Sequence, residues 1–173
     1  GTMAKDERAT EEKLILDKQR FLQDYPRISS ARGTGFNYLS PWSDTNSSGL
    51  EQRIRRKLGM NSGKEEECYV VEHLLLRPID DDKAQQAPLL GNARSKDPYS
   101  LQLSFVFPNW PQRFQDSQSE FRQFVEDVVR EETPAHLTVY ILWLDKEAMT
   151  SFVAAYKDWV NKRCEYWKER LGV

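Results

Sequence analysis

Two histidines are the first side chains to weigh for chemistry. His73 follows Glu72 and precedes Arg77 by four positions, and His136 follows Glu132 across Thr133-Pro134-Ala135. Imidazoles beside carboxylates serve metal sites or general acid/base steps. Either use needs a further ligand or an orienting group, and no H-x-x-x-H, C-x-x-C or H-E-x-x-H spacing supplies one. Glu72, His73, Arg77, Glu132 and His136 are therefore expected to form a buried polar cluster joining strand ends, where buried polar groups must find partners. A metal-dependent enzyme using His73 and His136 stands as the rival reading.

Other chemistry is poorly supported. No G-x-S-x-G elbow occurs, and Cys164 sits between Arg163 and Glu165 in a helical pattern that reads as packing. Gly33-Thr34-Gly35 is too short for a dinucleotide fingerprint, and Asp80-Asp81-Asp82 lacks the alternating oxygens and closing glutamate of a calcium loop. Two basic clusters occur: Arg53, Arg55, Arg56 and Lys57, and Lys162, Arg163, Lys168 and Arg170 among Trp159, Tyr166 and Trp167. Basic residues with aromatics can hold single strands of nucleic acid, but cations late in a helix also complement its dipole, which is the favoured reading here. No catalytic residue, cofactor, metal or small-molecule substrate is expected. Five Trp, seven Tyr and eight Phe instead direct attention to protein contacts, with Trp110, Trp159, Tyr166 and Trp167 as interface candidates.

These side chains need elements to hold them. Residues 6–25 carry Leu14, Ile15, Phe21, Leu22 and Tyr25 on one helical face, a narrow apolar stripe. Residues 26–48, rich in Ser, Gly, Asn and Pro, read as a linker with a short strand at 36–39. Leu50, Ile54 and Leu58 mark a short helix capped by Ser47 or Ser48 and closed by Gly59. A strand over 68–76 has apolar groups on both faces and is expected to be central; 79–98 is a long loop. Residues 99–107 alternate Leu101, Leu103, Phe105 and Phe107 with polar groups, the clearest strand in the chain. A capping box at Ser117-Gln118-Ser119-Glu120 opens a helix over 117–132, residues 137–144 form a strand, and Asp145 caps a last helix reaching almost to the C-terminus. The order is βαββαβ, so the expected fold is an α+β, ferredoxin-like sandwich with extra helices at both ends, its main domain covering 49–173.

Length and charge set the bounds. A chain of 173 residues suits one core, and 30% charged with 39% hydrophobic residues is the mixture of a globular protein. No apolar run approaches the roughly 20 residues of a membrane span. A formal net charge of −2 creates no field to attract nucleic acid or an anionic bilayer. Cys68 and Cys164 are expected to be reduced, packed thiols. Gly1-Thr2-Met3 reads as a tag-cleavage scar, and residues 4–10 are too polar for a signal peptide, so a cytoplasmic location is expected and the native chain is open to being longer.

One set of segments resembles a known module. Gly49-Leu50-Glu51 with Arg53-Ile54, Val71-Glu72-His73-Leu74-Leu75-Leu76-Arg77-Pro78, and Asp97-Pro98-Tyr99-Ser100 belong to it. So do Pro108-Asn109-Trp110-Pro111 with Arg113-Phe114, Phe121-Arg122 with Phe124-Val125-Glu126, and Glu131-Glu132-Thr133-Pro134-Ala135-His136. Together they resemble a recurrent domain of large structural proteins encoded with phage-tail-like contractile injection systems, over about residues 49–160. The resemblance implies a non-catalytic part of a baseplate or associated assembly, with other protein subunits as partners. A stand-alone adaptor that binds a peptide or subunit through an open sheet edge or the aromatic end of the last helix is the alternative.

Overall fold

A computed structural model of the chain describes residues 3–60, 66–77, 99–115 and 120–172, with backbone alone for 3–11, 13 and 14. The loop expected at 79–98 and most of the capping box at 117–120 lie outside the described residues. The protein is α+β, with four helices and a three-stranded sheet among the described residues. It divides into two compact units, Gly1–Asn61 with Val160–Val173, and Ser62–Trp159. The division expected at residue 49 therefore falls after the short helix instead, and the last helix contributes to both units.

In the first unit, helix α1 spans Met3–Ser30 and passes through Pro26, where the sequence reading ends it. A helix-interior proline forfeits a hydrogen bond and strains the preceding turn. Continuation gives Ile28 a place in the core, 3% exposed, and Ala31 N still donates to Arg27 O at 3.1 Å. The apolar stripe is split: Phe21 is half-buried, whereas Ile15, Leu22 and Tyr25 are exposed. The strand expected at 36–39 is a turn. Its backbone is claimed by amide side chains: Asn37 N donates to Asn46 Oδ1 at 2.9 Å, Asn46 Nδ2 to Asn37 O at 2.8 Å, and Leu39 N to Asn37 Oδ1 at 3.0 Å. Such local bonds offer the chain an alternative to a sheet ladder.

Helix α2 spans Gly49–Lys57. The Ser48 hydroxyl accepts from Glu51 N at 3.1 Å, satisfying a donor at the helix start. At the other end Gly59, at φ +63°, donates to Arg56 O at 3.2 Å while Met60 N donates to Arg55 O at 2.8 Å, a Schellman closure in which only glycine takes the left-handed turn without cost. Gly49 is required for another reason. Its N–H donates to Thr34 O at 2.7 Å, and an added Cβ would stand 2.1 Å from Ala31 O.

The second unit is built on a sheet in the order β1 (Tyr69–Glu72), β2 (Gln102–Pro108), β3 (Thr138–Leu144). The β1 and β2 strands are antiparallel, and β2 and β3 are parallel. Thus β2 is the central strand and β1 an edge, the reverse of the expectation. The reason is that Tyr69, Val70 and Val71 are buried without a flanking strand: the Tyr69 ring packs edge-on against Phe152 and Tyr156, and Tyr156 Oη donates to Val70 O at 3.0 Å. After Glu72 the chain turns into a 3-10 helix, His73–Leu76, in place of the longer strand expected. Because β2 bonds directly to β3, no strand separates them, and the described strands do not make the ferredoxin-like order.

Strand alternation puts Val70, Leu103, Phe105, Phe107, Val139, Ile141 and Trp143 on one face. Helix α3 (Glu120–Glu132) supplies Val125, Val128 and Val129 to the core, and Arg122 stacks over the Trp143 ring at 4.3 Å. Phe114, from a 3-10 turn at Gln112–Phe114, meets Trp143 and Phe121. Arg113 beside it chelates Glu66, with Nε 2.9 Å from Oε1. Helix α4 spans Lys146–Leu171 and is capped as expected, Ala148 N donating to Asp145 Oδ1 at 2.8 Å.

Candidate functional site

The polar residues of the expected cluster are gathered at one end of the sheet. Glu72 lies opposite Leu103, and Leu103 opposite Val139, so the end of β1 and the turn carrying His136 lie at the same end of the sheet with β2 between them. They do not form one buried cluster. His136 is exposed, Arg77 and Glu132 are half-buried, and Glu72 and His73 leave opposite faces. Alternation sends Glu72 to the face of Leu103, where burial raises its carboxyl above the usual value. His73 goes to the other face, sharing a 2.7 Å hydrogen bond between Nε2 and Ser104 Oγ and stacking on Tyr140 at 5.5 Å with planes 9° apart.

A serine bonded to an imidazole nitrogen is also the contact by which a base activates a nucleophile. Here Ser104 is a buried residue of the central strand, paired with neighbours on both sides. The bond satisfies a buried hydroxyl and ties the 3-10 turn to β2, while Tyr140 extends the tie to β3. Among the described residues no group of three or more His, Cys, Asp or Glu is placed to hold a metal ion.

The four interface candidates are all half-buried. Trp110 follows the turn in which Asn109 N donates to Leu144 O at 2.8 Å, and its own carbonyl accepts from Gln115 Nε2 at 2.7 Å. Trp159 stacks on Tyr156 at 5.7 Å, and Tyr166 and Trp167 meet edge-on at 5.3 Å. Trp159, Tyr166 and Trp167 thus spend part of their rings on their own unit. The exposed large apolar groups are others: Ile15, Leu16, Leu22 and Tyr25 on α1, Leu39 and Leu171 elsewhere in the first unit, and Leu74, Leu76, Leu101, Phe124, Tyr140 and Leu142 in the second.

No protein-family model matches this chain, and no curated protein does.

The basic clusters are engaged within their own unit. Arg55 pairs with Glu51 at 2.9 Å, Arg56 with Asp24, and Arg53 donates to the carbonyls of Gly49 and Arg32. Arg163 is buried, and desolvation lowers its pKa against the opposing influence of Tyr38. Both cysteines are free and buried. No helix among the described residues is long and apolar enough to cross a membrane.

Sequence reasoning missed Ser104 and Tyr140 as the partners of His73. The available signal was their alternation: Ser104 is a polar residue on the face of β2 opposite Phe105, and Tyr140 matches it on β3. Joining them to His73 required the register between strands, which local pattern does not contain.

Proposed function

We propose that this chain is a non-catalytic assembly domain that works by packing against other protein subunits, as part of the baseplate of a phage-tail-like contractile injection system. It is held in the cytoplasm until incorporated into a particle. The observation that carries the reading is the set of large apolar side chains left at the surface, above all the pair Tyr140 and Leu142, 45% and 46% exposed on one strand. Grouped apolar exposure marks contact surfaces, since water is excluded from them only when a partner arrives. The resemblance of the segments between residues 49 and 160 supplies the kind of assembly.

A tagged pull-down from the native host, with crosslinking and mass spectrometry, tests it. Sheath, tube or baseplate subunits crosslinked to residues near Tyr140 or Leu22 are the expected result. Recovery of the chain with stoichiometric metal and no such subunit would overturn the reading and bring His73 and His136 forward.

A further inference from the structure

The two edges of the sheet are protected to different degrees. β1 is four residues long, ends in Glu72, and gives its Val70 carbonyl to the Tyr156 hydroxyl. β3 is seven residues long and has no proline, glycine or charged side chain. Thr138 N donates to Leu101 O at 2.7 Å, and Leu144 O accepts from Asn109 N at 2.8 Å, so the even-numbered residues of β3 turn their backbone toward β2. In a parallel ladder the alternate residues turn away. Val139, Ile141 and Trp143 therefore present their N–H and C=O groups along the outer edge, where no described strand pairs with them. Edge strands are normally blunted by a charge, a proline, a bulge or a covering element, because unpaired groups template another strand.

We propose that β3 pairs with β3 of a second copy of this chain, antiparallel and centred on Ile141. This rests on reading the chain as a protein-contact domain. In this register Val139 faces Trp143 of the second copy, Ile141 faces Ile141, and every outward group on both strands is satisfied. Neighbouring registers fail for reasons within the chain. A shift one way sets Trp143 against Leu137, whose N–H already donates to Pro134 O; a shift the other way sets Val139 against Asp145, whose carbonyl already accepts from Met149 N. The centred register also lays Tyr140 against Leu142 of the second copy, twice, covering the exposed pair on each strand. With no charge at any paired position, self-pairing brings no like charges opposite one another. A single strand pair is smaller than the roughly 1,200 Å² of a stable standard interface, so the association is expected to be weak.

Sedimentation velocity over a concentration series tests the pairing, and the chain should pass from monomer to dimer. Tyr140→Lys with Leu142→Lys should abolish the dimer and leave the far-ultraviolet circular dichroism unchanged. Register is read with Thr138→Cys and Leu144→Cys together. These positions face each other at a non-hydrogen-bonded pair, about 4.5 Å between Cα atoms, which is within disulfide reach. Copper-catalysed air oxidation should link the double variant into dimers but not Thr138→Cys alone, and the native thiols are buried. A monomer at all concentrations with no register-specific link would overturn self-pairing. So would a monomer whose β3 amides are protected from exchange only when a different subunit is added, although that outcome would leave the assembly reading standing.

Discussion

At Gly49 one missing methyl group decides whether the first unit closes. Its Cα approaches the backbone of Ala31 so closely that a side chain must displace main chain, not a flexible tip. Gly49→Ala is expected to destabilise the protein by about 1–3 kcal/mol, the cost of overpacking, and Gly33→Ala, where a Cβ meets nothing, to stay within about 0.5 kcal/mol. Urea midpoints of the two variants provide the check. Glu72 carries a pH-dependent prediction. Burial raises its folded-state pKa, so the folded protein holds the proton more tightly than the unfolded chain. Its contribution to stability is complete below the unfolded pKa of about 4.3 and is lost as pH rises through the higher folded value. Glu72→Gln should therefore melt at a higher temperature than the parent at pH 7, with the difference closing as the pH falls toward about 4. Equal melting at pH 7 would contradict the burial argument. At this scale the His73–Ser104 bond shows what a residue list lacks: both residues were visible, but not that they touch.

Helix α1 shows how an element can override its own local signal. Pro26 is an exposed proline inside a continuing helix, retained because Ile28 beyond it enters the core. Pro26→Ala should restore the missing hydrogen bond and stabilise the unit by about 1–3 kcal/mol, read as a rise in urea midpoint with increased helicity. A fall in stability would mean that the proline fits a bend the packing needs. Short-range chemistry elsewhere was readable without the fold. Ser48, Gly59 and Asp145 cap their helices as their types and positions predict, because a cap is a bond to a backbone group within a few residues. The segment at 36–39 forms no strand because the Asn46 side chain bonds both backbone groups of Asn37 across nine positions, a pairing that apolar periodicity does not report.

For the whole molecule, stability of the second unit centres on β2, whose Phe105 and Phe107 are fully buried. Phe105→Ala should cost about 3–5 kcal/mol and hasten amide exchange through β1 and β3 together, since both ladders hang on that strand. A smaller loss confined to β2 would show that the sheet is held mainly by its helices. Part of the architecture was legible in advance: the α+β class, four helical segments and strands within 99–107 and 137–144 depend on periodicities of 3.6 and 2 residues, which neighbours along the chain carry, whereas residues 99–101, expected to open the second strand, form a turn with Leu101 exposed at φ +58°. Strand order was not legible. Apolar groups on both faces of β1 look the same whether a strand or the Tyr156 side of a helix covers them, so the choice of β2 as the centre belongs to the tertiary structure. The same holds for exposure. The apolar types at Tyr140 and Leu142 were plain in the sequence, but burial depends on what lies across the sheet, and only the parallel pairing of β3 beside β2 left its outer edge and that pair of side chains open.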